Sequence, residues 1–237
     1  MSLLLNLRHL EAALEVRRLG SISRTTEVVH LSQSAITQGL HKLERILEFD
    51  LFERSHSGLV ATEMGHIFLI RAEKALVLLK NIDSVLARQS DTKTRGPIHR
   101  SLTTTQLRAL MTVVEHGSYS VAARRLQLAQ PTVHRAVHDA ERICGYKFFA
   151  KSPSGIEASW HAKQVARHIA LFFYELSQGL EEVEEHLGRM TGRLRIGCLP
   201  LARTQMVPRT AISLLDEFPE ARVSIVDGPY NEHLVRD

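Results

Sequence analysis

Two short polar runs carry side chains of the kind that hydrogen-bond to base edges and phosphates. The first is Ser32, Gln33 and Ser34 with Thr37, Gln38 and His41; the second is Gln130, Pro131 and Thr132 with His134 and Arg135. A side-chain amide matches the donor and acceptor of adenine, a guanidinium forks onto guanine, and hydroxyls serve bases or phosphates. Further along from each run lie Arg54 with Ser55 and Lys151 with Ser152, a cation and a hydroxyl suited to phosphate oxygens. Other chemistries find little support. His134 and His138 stand at i, i+4, but no third ligand accompanies them, and no metal is expected. There is no nucleophile with its base, paired-carboxylate motif, phosphate-cradling glycine loop or HExxH, so neither an enzyme nor a cofactor is expected. Cys144 and Cys198 lack CxxC spacing and read as free thiols.

The elements that must position these residues occur twice. A shift of 97 positions aligns residues 10 to 62 with 107 to 159 without a gap, and 17 of the 53 pairs are identical. Gly20 matches Gly117, Leu31 matches Leu128, Glu44-Arg45-Ile46 matches Glu141-Arg142-Ile143, and Gly58 matches Gly155. In the first copy a helix beginning near Leu7 ends at Gly20, and a short second helix runs to about Val29. Ser32 then caps a third helix whose apolar face is Ile36, Leu40, Leu43 and Leu47. That spacing turns Gln33, Ser34, Thr37, Gln38 and His41 away from the core. Residues 49 to 54 and 59 to 61 read as strands around a turn at Ser55 to Gly58. The second copy repeats each part, with a helix near 105 to 115, a helix to Leu126, a helix from Gln130 to Cys144 burying Val133, Val137, Ala140 and Cys144, and a turn around Ser152 to Gly155. Three helices and a hairpin make a winged helix-turn-helix.

Each copy leads into a long amphipathic helix. Met64, Phe68, Arg71, Ala75, Leu78, Ile82 and Val85 form a heptad-like seam after the first, and Val165, Ile169, Phe172, Leu176, Leu180, Val183 and Leu187 form a longer one after the second. The second seam is expected to join two chains; packing on the chain's own winged unit is the competing reading. Residues 90 to 104, polar with Gly96-Pro97, read as a flexible linker. From Gly192, a strand at 194 to 198, a helix at Pro208 to Phe218 and a strand at 222 to 226 spell a β-α-β opening of a parallel sheet. Two strands and one helix cannot cover such a sheet, so this third domain is expected to be incomplete at Asp237. The expected class is mainly α. Its organisation is a winged unit at 1–63, a linker helix at 64–89, a linker at 90–104, a second winged unit at 105–159, a dimerisation helix at 160–190 and the β-α-β fragment at 191–237.

Composition agrees. The 237 residues are 44% hydrophobic and only 5% aromatic, which suits helical cores. The net charge of +4 permits a polyanionic partner without requiring one. The excess lies in the middle: residues 64 to 103 hold 7 basic against 3 acidic side chains and residues 104 to 160 hold 7 against 4, whereas residues 1 to 63 hold 7 against 8. No apolar run nears the roughly 18 to 20 residues of a membrane span, and Met1 to Leu10 lacks a signal-peptide core, so no membrane is expected as partner and a cytoplasmic location is.

The segment at 20 to 55, GSISRTTEVVHLSQSAITQGLHKLERILEFDLFERS, with ATEMG at 61 to 65, resembles the LysR-type transcriptional regulators. So do its second copy at 117 to 152, and GRLRIG at 192 to 197 with EFPEARVSIVDGPYNEHL at 217 to 234. Family members ordinarily carry one such DNA-binding domain, so the duplication is a departure. The resemblance implies a sequence-specific regulator that binds double-stranded promoter DNA as a homodimer or higher oligomer. The third helix of a copy would enter the major groove and the wing would meet the backbone. The matching positions are Ser32, Gln33, Ser34, Thr37, Gln38, Arg54 and Ser55 in copy one, and Gln130, Pro131, Thr132, His134, Arg135, Lys151 and Ser152 in copy two. Each copy lacks something: copy one has Gln38 where the family usually carries arginine, and copy two has Ala129 at the cap, where a lost hydroxyl costs about 1 kcal/mol. Copy two is expected to supply most of the phosphate affinity, and copy one base contacts or scaffolding. The resemblance also implies that the β-α-β fragment opens an α/β effector-binding domain. Its ligand would lie partly against Leu199 to Thr204, with Arg203 and Thr204 as candidates for an anionic group, if the rest of that domain is present. The competing function is an interaction module whose degenerate winged units pair with a full-length regulator.

Overall fold

The computed structural model describes residues 4–56, 58–87, 97–152, 155–189, 193–198, 205–219 and 221–227. The chain divides into two compact units, Met1–Gly179 and Leu180–Asp237, so both winged copies fall in one unit.

In copy one, α1 (Leu7–Leu19) starts where the Asn6 side chain accepts the Arg8 N–H and ends at Gly20, whose φ of 65° lies in the left-handed region. Ser21 caps α2 (Ile22–Val29) and Ser32 caps α3 (Gln33–Leu47), accepting the Ala35 N–H at 3.2 Å. Ile36, Leu40, Leu43 and Leu47 of α3 are buried, as the spacing required. Strands β1 (Phe52–Ser55) and β2 (Gly58–Ala61) pair antiparallel, and α4 (Glu63–Ala87) follows. The hairpin starts later than residue 49 because Leu51 is engaged elsewhere. Its N–H donates to Glu44 Oε1 at 3.0 Å, and its carbonyl accepts the Thr62 N–H at 3.1 Å.

Copy two repeats this with its own caps. A capping box of Thr103 and Gln106 opens α6 (Thr104–His116), Gly117 closes it, and Ser118 caps α7 (Tyr119–Leu126). At the start of α8 (Gln130–Cys144), Ala129 offers no side-chain cap, and its carbonyl instead accepts the Thr132 and Val133 N–H groups. Pro131 in the first turn has no N–H to satisfy there. Ala109, Val113, Ala122, Val133 and Val137 form the core beneath, with Tyr119, Leu126 and Phe149 packed on it. Strands β3 (Phe149–Ser152) and β4 (Gly155–Ala158) form the second wing, and α9 (Trp160–His186) the second long helix.

The segment expected to be a flexible linker is partly ordered. α5 (Ile98–Ser101) lies within it because His99 is buried between two acids. The His99 Nδ1 lies 2.8 Å from Asp83 Oδ2 of α4, its N–H donates to Asp83 Oδ1 at 3.2 Å, and its Nε2 stands 3.6 Å from Glu11 Oε1 of α1. Arg100 Nε also donates to Glu11, and α5 touches α8. This turn therefore ties copy one to copy two.

In the second unit, β5 (Arg193–Cys198) and β6 (Arg222–Asp227) pair in parallel, and α10 (Met206–Glu217) connects them, the expected β-α-β. Leu194, Ile212 and Ile225 are exposed there. Cys144 is a buried free thiol that burial, with Asp83 and Glu141 nearby, pushes up to about 12, so it is inert at neutral pH. Among the described residues no helix is long and apolar enough to cross a membrane.

A Cβ on Gly65, at the start of α4, would sit 2.1 Å from the Leu51 carbonyl oxygen, whereas copy two carries Ala162 at the matching position, fully buried. Gly65→Ala should therefore lower unfolding stability by about 1 to 3 kcal/mol despite its helix propensity, and Ala162→Gly by about 1 kcal/mol, both read by urea denaturation. Burial favours the neutral ring of His99, but the two carboxylates outweigh that and hold its pKa above the ordinary 6.5. Burial likewise opposes the charge on Glu11, yet His99 and Arg100 win and hold it below 4.5. The His99 contribution is complete below pH 6.5 and is lost as pH rises through its raised value; the Glu11 contribution is present above 4.5 and is lost as pH falls through its lowered value. The stability difference between the protein and His99→Asn should be largest between those two reference values and shrink as the solution turns alkaline. A difference that grew with pH would contradict the clamp.

Candidate nucleic-acid interface

The N-terminal half of each third helix offers a polar face opposite its buried one. On α3, Ser32, Gln33, Ser34, Gln38 and His41 are exposed and Thr37 is half-buried. Several of these groups are occupied internally. Ser32 Oγ serves the cap and lies 3.0 Å from Ser34 Oγ, Thr37 Oγ1 donates to the Gln33 carbonyl at 2.9 Å, and His41 Nδ1 lies 3.4 Å from Glu44 Oε2. Gln33 and Gln38 remain the amides that project from this face.

On α8, Gln130, Pro131, Thr132, His134 and Arg135 are all exposed. An open groove is lined by Gln130, Pro131, His134, Arg135 and His138. Tyr119 of α7 shapes it: its ring centroid lies 4.9 Å from that of His134 and 6.1 Å from that of Phe149 at the start of the wing. One aromatic thus braces an imidazole of the polar face against the hairpin. Burial, with Glu141 nearby, raises the Tyr119 pKa, so its hydroxyl stays neutral.

The wings are held beside these helices by equivalent carboxylates. Glu44 accepts the Leu51 N–H, and Glu141 accepts the Phe148 N–H at 2.8 Å and pairs with Lys147 at 3.1 Å. Arg54 and Ser55 on β1 are exposed; on β3, Lys151 is exposed and Ser152 half-buried. The structure therefore brings every expected contact residue of a copy to one end of that copy's third helix or to its wing.

Sequence reasoning did not single out three further features. Tyr119 replaces Ile22 in the repeat, a change toward an aromatic beside the polar face that could have flagged it. The exposed pair Arg124 and Arg125 stands where copy one has Glu27 and Val28, and the repeat offset marks that gain of charge. The wing role of Glu44 and Glu141 was hinted at only by their identity in both copies.

The residues expected to join two chains lie along α9 and, at Leu187, just past its end. Val165, Ile169, Phe172 and Leu176 of α9 are fully buried within the single chain, Val183 is buried too, Leu180 is half-buried and Leu187 is exposed. Heptad spacing marks a covered face without naming its cover, and for the first four the cover is already in the chain. Arg203 and Thr204, the candidates for an effector, lie outside the described residues.

Known proteins match the same segments. The family model described as "Bacterial regulatory helix-turn-helix protein, lysR family" matches residues 7–66 and again 104–163, together half of the chain. The HTH-type transcriptional regulator GalR of Pseudomonas putida is 28% identical over 226 residues, 95% of this chain and 56% of that protein. PcaQ of Agrobacterium fabrum, also an HTH-type transcriptional regulator, is 37% identical over 79 residues, 33% of this chain and 25% of that protein. The chain thus spans little more than half the length of GalR. Among solved structures, full-length OxyR from Pseudomonas aeruginosa matches at 21% identity with a TM-score of 0.44, covering 57% of this chain and 44% of that one. CbnR complexed with its target DNA matches at 19% and 0.40, covering 56% and 45%. With both winged units matched by the same family, at segments offset by the repeat spacing, the chain belongs to the LysR family of bacterial helix-turn-helix regulatory proteins.

Proposed function

We propose that this chain binds double-stranded promoter DNA through the N-terminal faces of α3 and α8 and regulates transcription in the cytoplasm. One observation carries the reading. At the offsets of Gln33, Gln38 and His41 the repeated helix is solvent-facing and polar in both copies, with Gln130, Arg135 and His138 as counterparts, while the opposite face is buried and the wing is fixed alongside. Exposed polar residues on a lone helix are ordinarily just solvated; their recurrence at fixed positions beside a cation-bearing wing gives them a common task. The regulators to which the chain is similar support the same reading.

The copies divide the work unequally. Copy two presents Arg135 for guanine and phosphate, Gln130 for adenine, and Arg124, Arg125 and Lys151 around them. Copy one presents Gln33 and Gln38 for bases and Arg54 for the backbone, with its hydroxyls largely turned to internal bonds. A small-molecule effector would be held by the unit that contains β5, α10 and β6. Pairing with a full-length regulator through the α9 seam has less to rest on, because most of that seam is covered within the chain.

Fluorescence anisotropy with duplexes from the region upstream of the gene tests this. Arg135→Ala should weaken specific binding by about 1 to 3 kcal/mol, roughly 5- to 150-fold, and relax preference at one base pair. Lys151→Ala should weaken all sequences alike and reduce the slope of log K against log salt by about 1. Gln38→Ala should cost affinity without changing that slope. If all three bound like the unaltered protein, or if binding were sequence-blind with dissociation constants of about 10⁻⁴ to 10⁻⁶ M, the assignment would be wrong.

A further inference from the structure

The repeat continues past the winged units into the long helices, where sequence identity fades but burial does not. Phe68, Ala75, Leu79 and Ile82 of α4 are buried, and so are Val165, Phe172, Leu176 and Gly179 at the positions 97 further on. These equivalent faces meet each other. Arg71 Nη1 donates to Glu175 Oε2 at 3.0 Å. One turn away, a Cβ on Gly179 would come within 3.2 Å of Phe68 Cδ2 and 3.0 Å of Arg71 Cβ. On α4 both contacts fall on Arg71, with Phe68 one turn back, and on α9 they fall on Glu175 and Gly179. In repeat terms Glu175 is the counterpart of Leu78, so position 71 of one copy meets position 78 of the other. The contact between these equivalent faces is formed inside one chain.

The two faces are equivalent in position but not interchangeable in chemistry. At equivalent positions Ala75 is small and Phe172 large, and both are fully buried. Pairing two α4 helices would put Arg71 against Leu78 instead of a carboxylate, and would push Ile82 onto Phe68, where even a Cβ is tight. Pairing two α9 helices in the same way would set Glu175 against His168, whose ring burial, with Arg167 nearby, keeps below its ordinary pKa and therefore uncharged. Size and charge both select the unlike pair. The α5 clamp through His99 and Arg100 to Glu11 and Asp83 fastens the same two halves.

We infer that α4 and α9 clasp the two winged units of one chain into a built-in pair of unlike halves, so that a single chain presents two different recognition helices to two different half-sites of duplex DNA. The inference rests on the DNA-binding reading above for its ligand, and on the clasp alone for its stoichiometry.

The clasp is tested without DNA. In a Cys198→Ser background, Arg71→Cys with Glu175→Cys is treated with a short bis-maleimide. Cross-linking should occur within the chain, with no two-chain product, and a mixture of the two single variants should yield no dimer; two-chain products in either sample overturn the clasp. Because the substitutions remove an ion pair, circular dichroism checks that each variant is folded, and the unaltered chain supplies a second measurement. Sedimentation of that chain with its promoter duplex should give one chain per site. Footprinting should show two unlike protected segments about 10 base pairs apart between centres. Palindromes built from either segment should bind at least about tenfold more weakly, the order of cost of mismatched base pairs. Two chains per site, or a palindrome bound as tightly, overturn the half-site assignment. An intrachain cross-link with no duplex bound at all removes the DNA-binding reading and leaves the clasp standing.

Discussion

The main chain of one residue in each copy, Leu51 and its counterpart Phe148, is the node on which a winged unit hangs. Its N–H is taken by a carboxylate of the third helix, Glu44 or Glu141, and its carbonyl by the N–H of Thr62 or Ser159 at the head of the long helix. A buried N–H left without an acceptor costs about 1 to 3 kcal/mol, so these bonds hold recognition helix, wing and long helix at fixed mutual angles. Gly65 lies against the same carbonyl in copy one, which shows how closely the long helix approaches the node. Displacing any one of the three elements would strand a polar group of the other two.

Much of the fold was legible because its signals are local. Ser32 and Gly20 mark helix ends through hydrogen bonds and a left-handed φ that their own side chains determine, and the i, i+4, i+7 spacing of Ile36, Leu40 and Leu43 marks a buried face whatever covers it. The polar face opposite was equally visible, since it is what the apolar face leaves over. The internal engagement of Thr37 and the Ser32–Ser34 contact was not, because a hydroxyl carries no sequence sign of which way it turns. Tyr119 was missed for a related reason. Its contacts with His134 and Phe149 join three elements, and no spacing along the chain records such a meeting.

The long helices show the limit more sharply. Heptad spacing in α9 announces a covered stripe, and a second chain was the cover expected; most of the stripe is already buried within the chain, with Phe68 and Arg71 of α4 meeting α9 at Glu175 and Gly179. Likewise a polar stretch with Gly96-Pro97 suggests freedom, yet His99 two residues on is buried between Asp83 and Glu11. In both cases the deciding partner lies far away in sequence. Charge complementarity across such a distance, Arg71 with Glu175 or His99 with Asp83, becomes visible only once the fold has brought the groups together.

The α5 turn and the stretch that joins it to α4 make the two halves one covalent object, and this changes how occupancy depends on abundance. Halves on separate chains must first find each other, and a scarce protein spends most of its time unpaired. Halves joined by a short connection meet at an effective concentration of about millimolar, whatever the number of molecules present. Response to dilution would then be set by the affinity for the ligand alone, without the threshold that assembly imposes. Covalent joining also frees the two copies from having to match themselves. Gln38 and Arg135, or Ala75 and Phe172, can differ because neither copy needs to recognise another of its own kind.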